Sequence, residues 1–132
     1  MDRAEAGVVV ATVSGSARLG LGAAGEALVA AWYRRAGYDV VDRNWRCRDG
    51  ELDLVLTRAG TVVFCEVKTR ASDTFGAPFE AVTTRKQRRL RTLALRWLHA
   101  HPGHWRALRF DVGSVVRDDR GRLLVDVLED AF

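Results

Sequence analysis

Residues 51–69 read ELDLVLTRAGTVVFCEVKT, and this stretch decides the fold. Two apolar runs of strand length flank the short turn Arg58-Ala59-Gly60, which predicts an antiparallel hairpin of Glu51–Thr57 with Thr61–Thr69. Side chains on a strand alternate between faces. Glu51 and Asp53 are therefore predicted to point together, away from Leu52, Leu54 and Leu56. Glu66 and Lys68 are predicted to share a face with Val62 and Phe64. Charges among so many branched and aromatic residues are costly unless paired or metal-bound. That cost is the first physical sign of a site.

Outward from the hairpin, Leu19–Ala36 is rich in alanine and leucine, with Gly37 as a C-terminal stop. Helical periodicity puts Leu21, Leu28, Val29, Trp32 and Ala36 on one broad face, with Glu26 at its margin. Tyr38–Arg43 is a further strand before the hairpin. A loop from Asp73 to Pro78, containing Phe75-Gly76, follows it. A second helix is predicted from Phe79 or Thr83 to His99, ending before Pro102. Leu108–Val116 and Arg122–Leu128, joined by Asp118-Asp119-Arg120-Gly121, form a second hairpin. The order is αβββαββ, a mixed α/β domain with helices packed on a central sheet. Residues 1–18 read as a loose, flexible tail or a short extra strand, and residues 19–132 as one domain.

With 132 residues, 48% hydrophobic and 29% charged, the chain is the size of one soluble domain with a real core. Its longest apolar run near the start, Gly7–Val13, is too short to span a bilayer. The acids and arginine before it do not suit a secretory signal. A cytoplasmic location, with no membrane partner, is the expectation. Cys47 and Cys65 lack CxxC partners and fit a reducing compartment, with Cys65 a small buried hydrophobe. Net charge is +4, and lysine occurs only at Lys68 and Lys86; every other basic residue is arginine. This balance permits a nucleic-acid partner without requiring one.

Magnesium takes hard oxygen ligands, usually one or two carboxylates completed by water and phosphate oxygens. Asp53 and Glu66 on neighbouring strands supply such carboxylates. Lys68, one step along the same face, is placed to stabilise negative charge on a phosphate or to orient a bound water. Glu26 is a third acid, acting directly or through water, and Glu51 is read as a rim acid. On the second helix Lys86 falls within the arc of Leu90, Leu93, Ala94 and Trp97 and so points toward the sheet, near the proposed centre, where it is a candidate nucleic-acid contact. Arg85, Arg88, Arg89, Arg91 and Arg96 lie outside that arc as an exposed basic ridge. Arg46, Arg48 and Arg70 flank the motif strands and are comparable phosphate contacts. The competing reading of Asp53, Glu66 and Lys68 is a structural salt-bridge cluster, and that of the ridge a solubilising face. His99, His101 and His104 lack partners at zinc-finger spacing and are read as a solvated loop. Trp32 and Trp97 are core residues.

The pattern of Asp53, twelve residues, then Glu66-Val67-Lys68, with Glu26 on a preceding helix, resembles the PD-(D/E)xK nuclease superfamily. Its helix glutamate and strand spacing are similar to archaeal Holliday junction resolvases. More closely, the chain resembles the YraN family of bacterial proteins. Gly25-Glu26, Gly37-Tyr38, Asn44-Trp45-Arg46, Gly50 to Leu54, Phe64 to Arg70, Phe75-Gly76, Lys86 and Arg109-Phe110-Asp111-Val112 carry that resemblance, from about Leu19 to Val116. Leu52 stands where the superfamily usually has proline. The resemblance implies a restriction-endonuclease-like fold, with Asp53 and Glu66 as ligands of Mg2+ or Mn2+. It further implies the Val67 carbonyl as another ligand and Lys68 as the catalytic lysine. The expected activity is phosphodiester hydrolysis on DNA, favoured over RNA, including branched or flapped structures. The alternatives are a catalytically silent nucleic-acid-binding module, or a partner-dependent subunit in DNA repair, uptake or recombination. Junction-cutting relatives imply a homodimer by analogy only.

Overall fold

A computed structural model describes residues 9–12, 20–70 and 82–132. In chain order the elements are β1 (Val9–Thr12), α1 (Gly20–Arg35), β2 (Asp39–Cys47), β3 (Gly50–Arg58), β4 (Thr61–Arg70), α2 (Thr84–Ala100), β5 (Ala107–Arg117) and β6 (Arg122–Leu128). The strands form one six-stranded sheet ordered β1-β6-β5-β4-β3-β2. Among the described strands only β4 and β5 run parallel, and every other neighbouring pair is antiparallel. Parallel neighbours need a long crossover, and α2 lies within it. This is the mixed α/β arrangement that a restriction-endonuclease-like domain requires. Of the two readings for the first residues, the strand holds for Val9–Thr12, which pairs with the outer edge of β6. The Asp73–Pro78 loop and Phe79 lie outside the described residues.

The helices cover opposite faces of the sheet. Against α1, Val29, Ala30, Trp32 and Tyr33 pack on Leu54, Leu56, Val63, Cys65, Val115, Leu123, Val125 and Val127. Against α2, Leu90, Leu93, Ala94 and Trp97 pack on Leu52, Val55, Val62, Phe64 and Phe110. Both tryptophans expected in the core are there, Trp32 8% and Trp97 2% exposed. Gly113 explains how closely α1 can approach. A Cβ there would lie 2.9 Å from both methyls of Val29.

The β3–β4 turn puts Ala59 and Gly60 at φ 49° and 84°. Two central residues of positive φ match the right-handed twist of the hairpin strands. Strand β2 runs longer than Tyr38–Arg43, through Cys47, because it survives two irregularities. A bulge at Val41 shifts its register between Val40 and Asp42, and Asn44 takes φ 50° within the strand.

The simple alternation predicted for β3 does not hold. Leu54 and Leu56 do face α1, but Leu52 joins Val55 on the α2 side. The break falls at Asp53. Strand β2 pairs with Leu52 and Leu54 around it, opposite left-handed Asn44, and the β3–β4 ladder ends at Leu54–Cys65.

A buried polar network ties α1 to the last strands. Asp111, fully buried, accepts the Tyr33 hydroxyl, both Nε and Nη2 of Arg109 at 2.9 Å, and the Asp130 N–H at 3.0 Å. Arg109 Nη2 also donates to the Tyr38 hydroxyl at 2.9 Å. Burial works against the Arg109 charge, yet these bonds to Asp111 and Tyr38 hold its guanidinium more firmly protonated than usual.

Candidate metal and nucleic-acid site

The site is built where the sheet opens. With its ladder partner gone, the Val67 N–H donates instead to the Asp53 carboxylate at 2.8 Å. That bond fixes Asp53 one residue from Glu66 and from the strand that carries Lys68. Helix α1 can come close because of Gly25, whose missing Cβ would lie 2.5 Å from Thr69 Oγ1. The close approach sets Glu26, the next residue, at the rim. There it is hydrogen-bonded to Asn44, and left-handed Asn44 sits opposite Asp53 in the β2–β3 register.

The acids feel one another. Burial, then Glu66, Glu26 and Glu51, push the Asp53 carboxyl up to about 7, against the lowering effect of the Val67 N–H. Burial likewise raises Glu26, joined by Glu51 and Glu66 and opposed by Asn44 and Arg43. Among the described residues no three acid, histidine or cysteine side chains converge to ligand distance. The donor set still fits magnesium or manganese, since two carboxylates with water and phosphate oxygens complete such a shell. Asp53, whose charge is disfavoured by burial and by Glu66 beside it, also gains when a cation comes between the two.

Two lysines meet this acid cluster. Lys86, inward on α2 as predicted, places Nζ 2.5 Å from Glu66 Oε2. Lys68 contacts the Lys86 amine, and burial together with that neighbour lowers its proton affinity. Burial opposes the Lys86 charge too, but its bond to Glu66 outweighs this and raises its proton affinity. Lys86 also lines a cleft of about 280 Å³ with Thr83, Arg85 and Arg89.

The basic ridge divides along the helix. Arg96 pairs with Asp49 at 2.7 Å, and Arg91 lies over the rings of Phe110 and Phe132. Both therefore serve the fold. Arg85, Arg88 and Arg89 are exposed at the end of α2 nearest Glu66, and no ion pair among the described residues uses them. The β2–β3 turn lies beside them, with Gly50 against Leu93 and Arg89. Arg46 on that hairpin is exposed and pairs with the rim acid Glu51 at 3.3 Å; Arg48 is exposed at the turn. Arg70 is half-buried at the end of β4 and engaged in contacts of its own.

Sequence reasoning missed parts of this arrangement. Asn44 entered only as a family motif, and the signal for its role is an asparagine inside a strand, a residue type that tolerates left-handed backbone. His101 departs from the solvated-loop reading. It stacks on Trp97 with centroids 4.2 Å apart, and its Nδ1 lies 2.8 Å from the Trp97 carbonyl. Trp97 Nε1–H donates to Asp42 at 2.9 Å, so this histidine belongs to the packing of α2 on β2.

Fold and site together define a mixed α/β protein with an acid–lysine cluster at an opening in its sheet, rimmed by arginine. The chain belongs to the uncharacterised protein family UPF0102, the YraN family, whose sequence model matches residues 25–115. It is 51% identical over 112 residues to a UPF0102 protein of Nocardia farcinica, covering 85% of this chain and 88% of that one. It is 52% identical over 108 residues to one from Beutenbergia cavernae, covering 82% and 92%. A Rhodococcus opacus relative is 45% identical over 114 residues, covering 86% and 97%. No helix among the described residues is long and apolar enough to cross a membrane.

Proposed function

We propose that this protein is a divalent-metal-dependent phosphodiesterase acting on DNA, branched or flapped structures included. The observation that carries the reading is the crowding of Asp53 with Glu66 where the β3–β4 ladder ends, with Lys68 and Lys86 beside Glu66 and an arginine-lined cleft next to them. Asp53 and Glu66 would hold Mg2+ or Mn2+, with the Val67 carbonyl as a further donor and Glu26 joining directly or through water. The ion would supply charge stabilisation at the phosphate and a water of lowered pKa. Lys68, beside Glu66 on the same strand, would stabilise the negative charge that gathers on the phosphoryl oxygens. Arg85, Arg88 and Arg89, with Arg46 and Arg48 on the neighbouring β2–β3 hairpin and Arg70 at the end of β4, would bind flanking phosphates through planar forks.

The test is cleavage of labelled single-stranded, duplex and junction DNA with magnesium or manganese. Asp53→Ala and Lys68→Ala are each expected to reduce the rate by about a hundredfold or more. Cleavage that survives both substitutions would show that it belongs elsewhere. The engagement of Glu66 by Lys86 favours a second reading, a silent nucleic-acid-binding module or a subunit that needs a repair or recombination partner. Its signature is salt-sensitive DNA binding, weakened by replacing Arg88 and Arg89, without metal-dependent cleavage.

A further inference from the structure

Lys86 occupies an unexpected place for its charge. Thr83 caps α2, its hydroxyl accepting the Lys86 N–H at 3.2 Å, so Lys86 is the third residue of the helix. A capping box would put glutamate or glutamine there, reaching back to the cap. The helix dipole likewise favours an acid in the first turn and disfavours a cation. No acid is present in that turn, and Arg85 precedes Lys86. Local helix stability therefore does not explain Lys86. Tertiary placement does, because its ammonium sits on the Glu66 carboxylate, whose side chain is only 10% exposed. The lysine's own side chain is 32% exposed and opens on the cleft shared with Arg85 and Arg89.

We propose that Lys86 is a stand-in cation, holding Glu66 while the metal is absent and yielding it to the metal, whereupon its ammonium turns to phosphate in the cleft. This rests on the metal-dependent reading above and adds a competition to it. A buried carboxylate left without a counter-charge is costly, so an acid cluster that awaits a metal needs a replaceable partner. A lysine suits that role better than arginine. Its ammonium is a point charge on a flexible stem, whereas a bidentate guanidinium would lock the carboxylate. The second position needs no backbone movement, since the same side chain already lines the cleft. Lys68 then faces a site that has lost one neighbouring ammonium and gained an ion.

The experiment is calorimetric titration of Mn2+ alone, without DNA, into the wild-type protein and the Lys86→Met, Lys86→Gln and Asp53→Asn variants. Circular dichroism checks that each variant is folded. Removing the competing charge is expected to tighten Mn2+ binding by about tenfold or more in both Lys86 variants. The same variants are expected to bind junction DNA more weakly when Ca2+ replaces the active metal. Wild-type affinity that depends on Asp53 but does not change in either Lys86 variant would overturn the stand-in role and leave the metal site intact. Absence of Mn2+ binding in all four proteins would overturn the metal-dependent reading itself. Binding gained only on removal of Lys86 would be the strongest form of the expected result.

Discussion

Asp111→Ala is expected to destabilise the protein by about 3–5 kcal/mol, the usual consequence of removing one member of a buried ion pair. The carboxylate is fully buried and answers four donor groups, from Tyr33, Arg109 twice, and the Asp130 backbone. Alanine would leave the Arg109 charge half-buried with only Glu129, 3.7 Å away, as a distant counter-charge. The Tyr33 hydroxyl and the Asp130 N–H would lose their acceptor at the same time. Domains of this size hold only about 5–15 kcal/mol in total. Urea unfolding at 25 °C measures the loss directly, and Asp111→Asn, which keeps one oxygen acceptor, is expected to fall in between. A loss under about 1 kcal/mol would mean that the network is dispensable and that packing alone closes α1 onto β5.

The second large effect has the opposite sign. Asp53→Asn is expected to stabilise the metal-free protein at pH 8, by about 1–3 kcal/mol. Burial, then Glu66 and the other acids, lift the Asp53 carboxyl from 3.8 to about 7. Between those values the folded chain binds more protons than the unfolded chain. Stability is therefore greatest below pH 4 on this account and is lost as the pH rises through about 7. The full displacement corresponds to about 4 kcal/mol, and partial exposure of the carboxylate reduces it. Asparagine keeps an oxygen for the Val67 N–H and never ionises. Melting temperatures from pH 5 to pH 8.5 in EDTA would show the two proteins converging at the acid end. Added Mn2+ is expected to reverse the order, since only the wild type gains ligand-linked stability. A wild type that is the more stable protein at pH 8 in EDTA would remove the case for a strained acid pair.

Much of this was legible in the residues. The 51–69 hairpin, the element order and both helices follow from period and punctuation, because long periodic segments and Gly-containing turns act locally. The inward direction of Lys86 was also legible, since it shares its arc with Leu90, Leu93 and Trp97. What could not be read was tertiary in origin. Nothing in ELDL announces that Leu52 and Leu54 face opposite ways; that depends on Asn44 adopting a left-handed turn on the neighbouring strand. The end of β2 was missed for the same reason, since the bulge at Val41 and Asn44 erase the two-residue rhythm. Asp111 lies in a strand between Phe110 and Val112 and reads as an ordinary surface acid until Tyr33 and Arg109 are brought to it. The grip of Lys86 on Glu66 joins residues twenty positions apart across a crossover, a distance over which spacing carries no information.

The irregular course of β2 has a consequence for assembly. As the last strand on its side of the sheet, it would ordinarily offer a row of open amide and carbonyl groups on which a neighbouring copy could zip up. The kinks at Val41 and Asn44 throw that row out of step, and exposed Asp39, Arg43 and Arg46 crowd it with charge. Growth of an end-to-end ribbon is thereby discouraged on this flank, and any twofold pairing of molecules must be sought elsewhere on the surface.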